Sequence, residues 1–374
     1  MTVPLVLVLN CGSSSIKYQV IDTRLPQPLA VGLVERVVDH AAGVAQVIAT
    51  LEADPAVDLA ALAVVGHRVV QGGAEFSAPT IVDDAVEQAI VRLTALAPLH
   101  NPGNAAGIRA AREAFPTIPH VAIFDTAFHQ TMTPEVYTYA LNRQVAAEYG
   151  IRRYGFHGTS HDYVSRATAA AMGVEVTAIN QIILHLGNGA SVCAVKGGVS
   201  YDTSMGLTPL EGLVMGTRTG DIDPAVVAHL SRSAGMTIDE IDDLLNKRSG
   251  MLGLTGFNDM RDVRAAANAG DADALLGLQI YYRRIRGYVG RYYALMGHLD
   301  SITFTAGIGE NDHLVRLNSL SGLEELGIII DPERNAASTK EPTLISADTS
   351  RVQVWVIPTN EEREIAMQSL AAIA

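Results

Sequence analysis

The same opening pattern occurs twice in this chain. Leu5–Leu9 is an unbroken apolar run that gives way to Asn10-Cys11-Gly12-Ser13-Ser14-Ser15 and resumes as the alternating Ile16–Val20. Ile182–Leu186 turns at Gly187-Asn188-Gly189 into Ala190–Lys196, followed by Gly197-Gly198 and a third run. A strand, a glycine-bearing turn and a second strand make an antiparallel hairpin, and Asn-Gly between alternating runs is its strongest short-range signal. Both hairpins lead into alternating helical and strand segments. The expectation is therefore an α/β chain of two related halves, each a mixed sheet opened by a hairpin, and 374 residues suffice for two cores.

Between the hairpins, Leu62–Val70 reads as a strand carrying His67-Arg68 at its end, Asp83–Leu96 as an amphipathic helix, and Val121–Phe124 as a short strand ending at Asp125. Later, Asp223-Pro224 starts a helix, and Thr237–Glu240 is a capping box before another, with Gly250 just past its end. Residues 272–298 form a long helix whose stripe Leu278, Tyr282, Ile285, Val289, Tyr292 and Met296 marks a core or a subunit interface. The tail Asn360-Glu361-Glu362-Arg363-Glu364 caps a final helix rich in Ala and Leu, which folds back on the first half. The domains expected are 1–148 plus 361–374, and 149–360.

A hydrophobic content of 48% with 18% charged residues describes a well-buried soluble protein, and no apolar run reaches bilayer-spanning length. Thr2-Val3-Pro4 leads straight into a strand without a secretory signature, and Cys11 and Cys193 are too few for a disulfide framework. The default location is cytoplasmic. The net charge of −13 argues against nucleic-acid and membrane partners. An anionic substrate would need positive groups concentrated locally.

Such groups gather at turns and strand ends, where a rigid sheet fixes its loops. Ser13, Ser15 and Lys17 offer two hydroxyls and an ammonium to a phosphate, although a polar turn has the same composition. Arg218 stands between Gly216 and Gly220, which are costly in a merely structural loop. His157 follows Gly155-Phe156 and precedes Gly158, and could equally be a satisfied buried histidine. Asp125 could cap the next segment, His185 at the end of an apolar strand reads as structural, and Glu361 sits in a first helical turn that favours any acid. Thr303–Asn311 passes from strand through Gly307 and Gly309 into a helix, which lets backbone amides approach a nucleotide.

Together these segments resemble the acetate kinase family nearly end to end. Asn10–Lys17 is similar to its opening signature, Arg153–His161 to its second, Met205–Gly212 leads into Gly216–Asp221 as in that family, and Pro358-Thr359-Asn360-Glu361-Glu362 is similar to its closing motif. The resemblance implies two ribonuclease-H-like, actin-like ATPase domains with a nucleotide cleft between them, usually in a homodimer. The implied reaction is reversible, Mg2+-dependent (or Mn2+-dependent) phosphoryl transfer from ATP to acetate, giving ADP and acetyl phosphate.

By the same resemblance, Asp125, His157 and Arg218 are catalytic: Arg218 and His157 on the transferring phosphoryl oxygens, Asp125 orienting Arg218 or a metal-bound water. Arg68 takes the acetate carboxylate, and Val70, Leu99, Phe156 and Pro209 form the methyl pocket. Ser13, Ser15 and Lys17 hold phosphates. His185, Leu186, Gly187, Asn188, Gly189, Asp259, Met260, Arg261, Gly307, Ile308, Gly309, Glu310 and Asn311 form the nucleotide side, with Asn10 and Glu361 near the metal. The chemistry suits this set, because a carboxylic acid with a pKa of about 4–5 is already ionised and needs no base. What remains is repulsion between two anions, which guanidinium and imidazole donors offset.

Three features depart from the family pattern: Gln71 replaces a common His, Ala306 a common Gly, and Gly256-Phe257-Asn258 precedes Asp259 where small hydroxyl residues are usual. The chain is also somewhat short. Rival readings are a propionate or other short-chain acid kinase, an actin-like ATPase switch, and a hydrolase using His157 with Ser160.

Overall fold

The computed structural model describes residues 4–337 and 340–374. The chain divides into two units, one of Met1–Gln130, Phe156–Tyr163 and Asn360–Ala374, the other of Thr131–Gly155 and Val164–Thr359. Residues 131–148, expected in the first domain, thus group with the second unit, and 156–163 with the first. The reason is local bonding. Thr131 Oγ1 donates to Ser200 O and Arg153 Nη1 to Thr203 O, whereas Gly158 N donates to Asp125 O and His129 to Phe156 O.

In the first unit, β1 (Leu5–Cys11), β2 (Ser15–Ile21), β3 (Ala30–Glu35), β4 (Leu62–Val69), β5 (Thr80–Ile81) and β6 (His120–Phe124) form one sheet in the order β3-β2-β1-β4-β6-β5. β1, β4 and β6 are parallel, and β2, β3 and β5 pair antiparallel to their neighbours. Helices α1 (His40–Glu52), α2 (Asp84–Arg92) and α3 (Asn101–Ala114) follow strands of this sheet. β1 is apolar from Leu5 to Leu9 because both its faces are covered there. Leu7, Leu9 and Cys11 pack with Val44, Val47 and Ala111 on one side, and Val6 and Val8 pack with Ile365 and Ala366 of the closing helix Glu361–Ala372 on the other.

The second unit repeats this plan. β7 (Asn180–Leu186), β8 (Ala190–Lys196), β9 (Val199–Thr203), β10 (Ser301–Thr305), β11 (Thr343–Leu344) and β12 (Gln353–Val356) lie in the order β9-β8-β7-β10-β12-β11, with parallel β7, β10 and β12. Strand for strand this matches the first sheet, so the two hairpins seen in the sequence head equivalent sheets.

Two details differ from the sequence reading. Along the helix Ala272–Met296, Tyr281 is the buried residue, while Tyr282 accepts a hydrogen bond from Arg264, because at 3.6 residues per turn the inward stripe drifts by a position. Gly250 lies just past the helix Ile238–Lys247, as expected, but also opens a further short helix, Gly250–Thr255, with φ +60°.

Candidate active site

Alternation along parallel strands assembles the first group. The side of β1 that carries Val6 and Val8 carries Asn10 next; β4 continues Val64 and Gly66 to Arg68; β6 continues Val121 and Ile123 to Asp125. Lys17 is paired with Asn10 across the hairpin and shares that face. Four adjacent strands therefore deliver Lys17, Asn10, Arg68 and Asp125 to one edge of one sheet face. The closing helix covers this face, and its N-terminal acids meet the row: Glu362 pairs with Lys17, and Glu361 Oε2 lies 3.9 Å from Arg68 Nε.

Arg68 grips Asp125 with both prongs of its guanidinium, Nε to Oδ1 at 2.9 Å and Nη2 to Oδ2 at 2.6 Å. Burial pushes the Asp125 carboxyl up from its ordinary range while Arg68 pulls it down. Burial acts against the Arg68 charge too, but Asp125 and Glu361 more than offset it and keep the guanidinium ionised. Asp125 thus uses both oxygens on Arg68, an arrangement that the sequence reading did not anticipate.

Asp125 also anchors the next segment. Its carbonyl accepts from Gly158 N at 2.8 Å, and the Phe156 carbonyl accepts from His129 at 3.0 Å. His157, held between these two ties, has φ +59°, a conformation that costs a non-glycine residue about 1–3 kcal/mol and concentrates at functional sites. Phe156 is buried, Val70 half-buried and Leu99 exposed. At the hairpin tip Ser13 is exposed and Ser15 half-buried.

In the second unit Arg218 is carried on a loop closed at its base, where Gly212 N donates to Asp221 Oδ1 (2.8 Å) and Asp221 N to Gly212 O (3.0 Å). Tyr288 Oη donates to Asp221 Oδ2 at 2.7 Å and Arg284 Nη1 to Gly212 O at 2.8 Å, which pins the loop to the long helix. Among the described residues the half-buried Arg218 guanidinium meets only the Pro209 carbonyl (3.4 Å) and the Met215 sulfur (3.9 Å). Within its unit no described carboxylate pairs with it, and burial lowers its pKa. A cation held so is complementary to an incoming anion. Gly216 brings this loop against the β7–β8 turn, since a Cβ there would lie 1.8 Å from Asn188 Oδ1.

A pocket of about 870 Å3 opens beside that turn. Of the residues expected on the nucleotide side, Gly187, Asn188, Asp259, Met260, Arg261, Gly307, Ile308 and Asn311 line it. Asp259 and Arg261 pair with each other, which holds the Asp259 carboxyl at about 2. His185, Leu186, Gly189, Gly309 and Glu310 do not line the pocket. His185 and Leu186 are buried within β7, and Glu310 Oε1 accepts from Ala306 N (2.8 Å) and Thr359 N (3.0 Å), tying the β10 turn to the end of β12. Arg264 and Asp312, which also line it, escaped the sequence reading; they pair at 2.8 Å from positions far apart in the chain.

Hard oxygen donors suit Mg2+. Asn10 and Glu361 both stand beside Arg68 at the sheet edge, and among the described residues no group of three His, Cys, Asp or Glu side chains is arranged to hold a metal. That donor set fits an ion held by one or two protein oxygens together with substrate phosphates. Among the described residues no helix is long and apolar enough to cross a membrane.

The profile of the Acetokinase family matches residues 5–39 and 36–367. An acetate kinase of Leifsonia xyli is 56% identical over 392 aligned residues, covering 99% of each chain, and one of Clavibacter michiganensis is 54% identical over 394. The crystal structure of Porphyromonas gingivalis acetate kinase superposes with a TM-score of 0.95 at 38% identity, covering 99% of this chain and 100% of that one. That of a propionate kinase from Francisella tularensis does so at 0.93 and 40%, covering 98% and 99%. The two equivalent mixed sheets are those of an actin-like ATPase fold, and the chain belongs to the acetokinase family.

Proposed function

We propose that the chain is a phosphotransferase acting on a carboxyl group, moving the γ-phosphoryl group of ATP to acetate with Mg2+ and, in reverse, acetyl phosphate to ADP. Family membership over nearly the whole length supports the reaction. The observation that carries the mechanism is Arg218, a half-buried guanidinium with no carboxylate partner among the described residues of its unit. Acetate arrives ionised, so the barrier is the approach of one anion to another. In this reading Arg68, oriented by Asp125, receives the acetate carboxylate, with Val70, Leu99, Phe156 and Pro209 around its methyl group. Arg218 and His157 donate to the phosphoryl oxygens as they flatten, where fixed donors stabilise developing charge most.

Asn10, Ser13, Ser15 and Lys17 face the phosphates, and the Gly187–Ile308 pocket takes the nucleoside. Asn10 and Glu361 would hold Mg2+, which when bound shields phosphate charge. Cytoplasmic location and a homodimer complete the proposal. The test is formation of a hydroxamate-trappable acetyl phosphate from ATP and acetate. ATP hydrolysis indifferent to acetate would instead indicate a switch ATPase. The likeness to a propionate kinase favours some use of the three-carbon acid, and kcat/KM on two-, three- and four-carbon acids ranks the substrates.

A further inference from the structure

We infer that Asn104 is a positioning residue for phosphoryl transfer, its side-chain amide acting as a strut between the phosphate hairpin and the carboxylate-binding end of β4. The inference rests on the reaction proposed above. Asn104 is buried in the first turn of α3. Its Nδ2 donates to the Cys11 carbonyl at 2.7 Å, and its Oδ1 accepts from Val70 N at 3.0 Å. Cys11 immediately precedes the Gly12-Ser13 tip; Val70 lies two residues beyond Arg68.

Both bonded groups are backbone, so one planar amide sets the main-chain separation of two loops that β1 and β4 hold in parallel. The helix is also in direct contact with the tip, because a Cβ on Gly103 would lie 2.7 Å from Gly12 O. In the same turn Asn101 clamps the same β4 exit, accepting from Gln71 N (3.1 Å) and donating to Gln71 O (3.0 Å). The first turn of α3 therefore grips both loops. The hairpin would place the phosphates and the β4 exit the acid, so Asn104 sets the reach between nucleophile and phosphorus. An error of about 1 Å in that reach costs on the order of 100-fold in rate.

The test is Asn104→Asp, which preserves size and the acceptor for Val70 N but sets a carboxylate oxygen against the Cys11 carbonyl. The expected result is a kcat lowered about 10- to 100-fold, with ATP and acetate each binding alone to within about threefold of wild type. The acid form of the aspartate can donate to Cys11 O, so the variant's kcat relative to wild type should recover as pH falls into the carboxyl range. Asn104→Ser, too short to span both partners, should show the same loss without that recovery, and it serves where the aspartate variant does not fold. A packing role alone would lower Tm and leave kcat per folded molecule unchanged. With wild type active, a kcat within about twofold of it in the folded variant overturns the inference alone. A wild-type protein that makes no acetyl phosphate overturns the functional reading and this inference together.

Discussion

Arg68 and Asp125, separated by 57 positions in the chain, form a two-pronged ion pair at 2.9 and 2.6 Å across the ends of β4 and β6. Asp125 is 1% exposed, so the pair lies where breaking it leaves an uncompensated charge. Asp125→Asn should therefore cost about 3–5 kcal/mol of stability and raise KM for acetate, because Arg68 loses its fixed orientation. Urea unfolding and initial-rate kinetics on the same preparation check both. A variant with wild-type stability and KM would remove Asp125 from this role.

Arg218 presents the opposite case. It contributes no ion pair among the described residues of its unit, so Arg218→Ala should shift Tm little while lowering kcat by about 100- to 1000-fold, the cost of one donor to a developing charge. ATP binding should persist. Near-normal acetyl phosphate formation by the variant would disprove the assignment.

Backbone strain is the basis of a third expectation. Ala306 has φ +64° at the turn from β10 into the helix Ala306–Asn311. Ala306→Gly should stabilise the protein by about 1 kcal/mol, since the left-handed region costs an L-residue about 1–2 kcal/mol. Denaturant midpoints measure it, and a destabilised variant would show that the alanine methyl is held by packing.

A buried histidine pair sets a pH dependence. His67 Nε2 lies 2.9 Å from His120 Nδ1, and burial first, then their mutual repulsion, lowers the pKa of His67; burial lowers that of His120 as well. Both stay neutral in the folded state at pH values where the unfolded chain, with histidines near 6.5, takes up protons. The stability they contribute is full above pH 6.5 and is lost as pH falls below it, by up to about 1.4 kcal/mol per unit for each group. His67→Gln should flatten the fall in stability measured between pH 7.5 and 5.5. An unchanged slope would assign the acid sensitivity to other groups.

Val70 bears on substrate choice. If its branched side chain bounds the methyl pocket, Val70→Ala should shift kcat/KM toward propionate, within the range of about 1–3 kcal/mol that one methylene commands. An unchanged ratio would take Val70 out of the pocket.

The sequence alone determined both hairpins, the strands carrying Arg68 and Asp125, and the helix caps, because period-two alternation, Asn-Gly turns and capping boxes act over a few residues. The two-residue edge strands β5 and β11 left no such signal, since so short a run has no period to read. The partner of Asp125, the tying role of Glu310 and the Arg264–Asp312 pair were likewise decided only by the tertiary structure. Each depends on which strands become neighbours and which loop ends meet, and hydrogen bonds between residues distant in the chain have no local pattern to announce them.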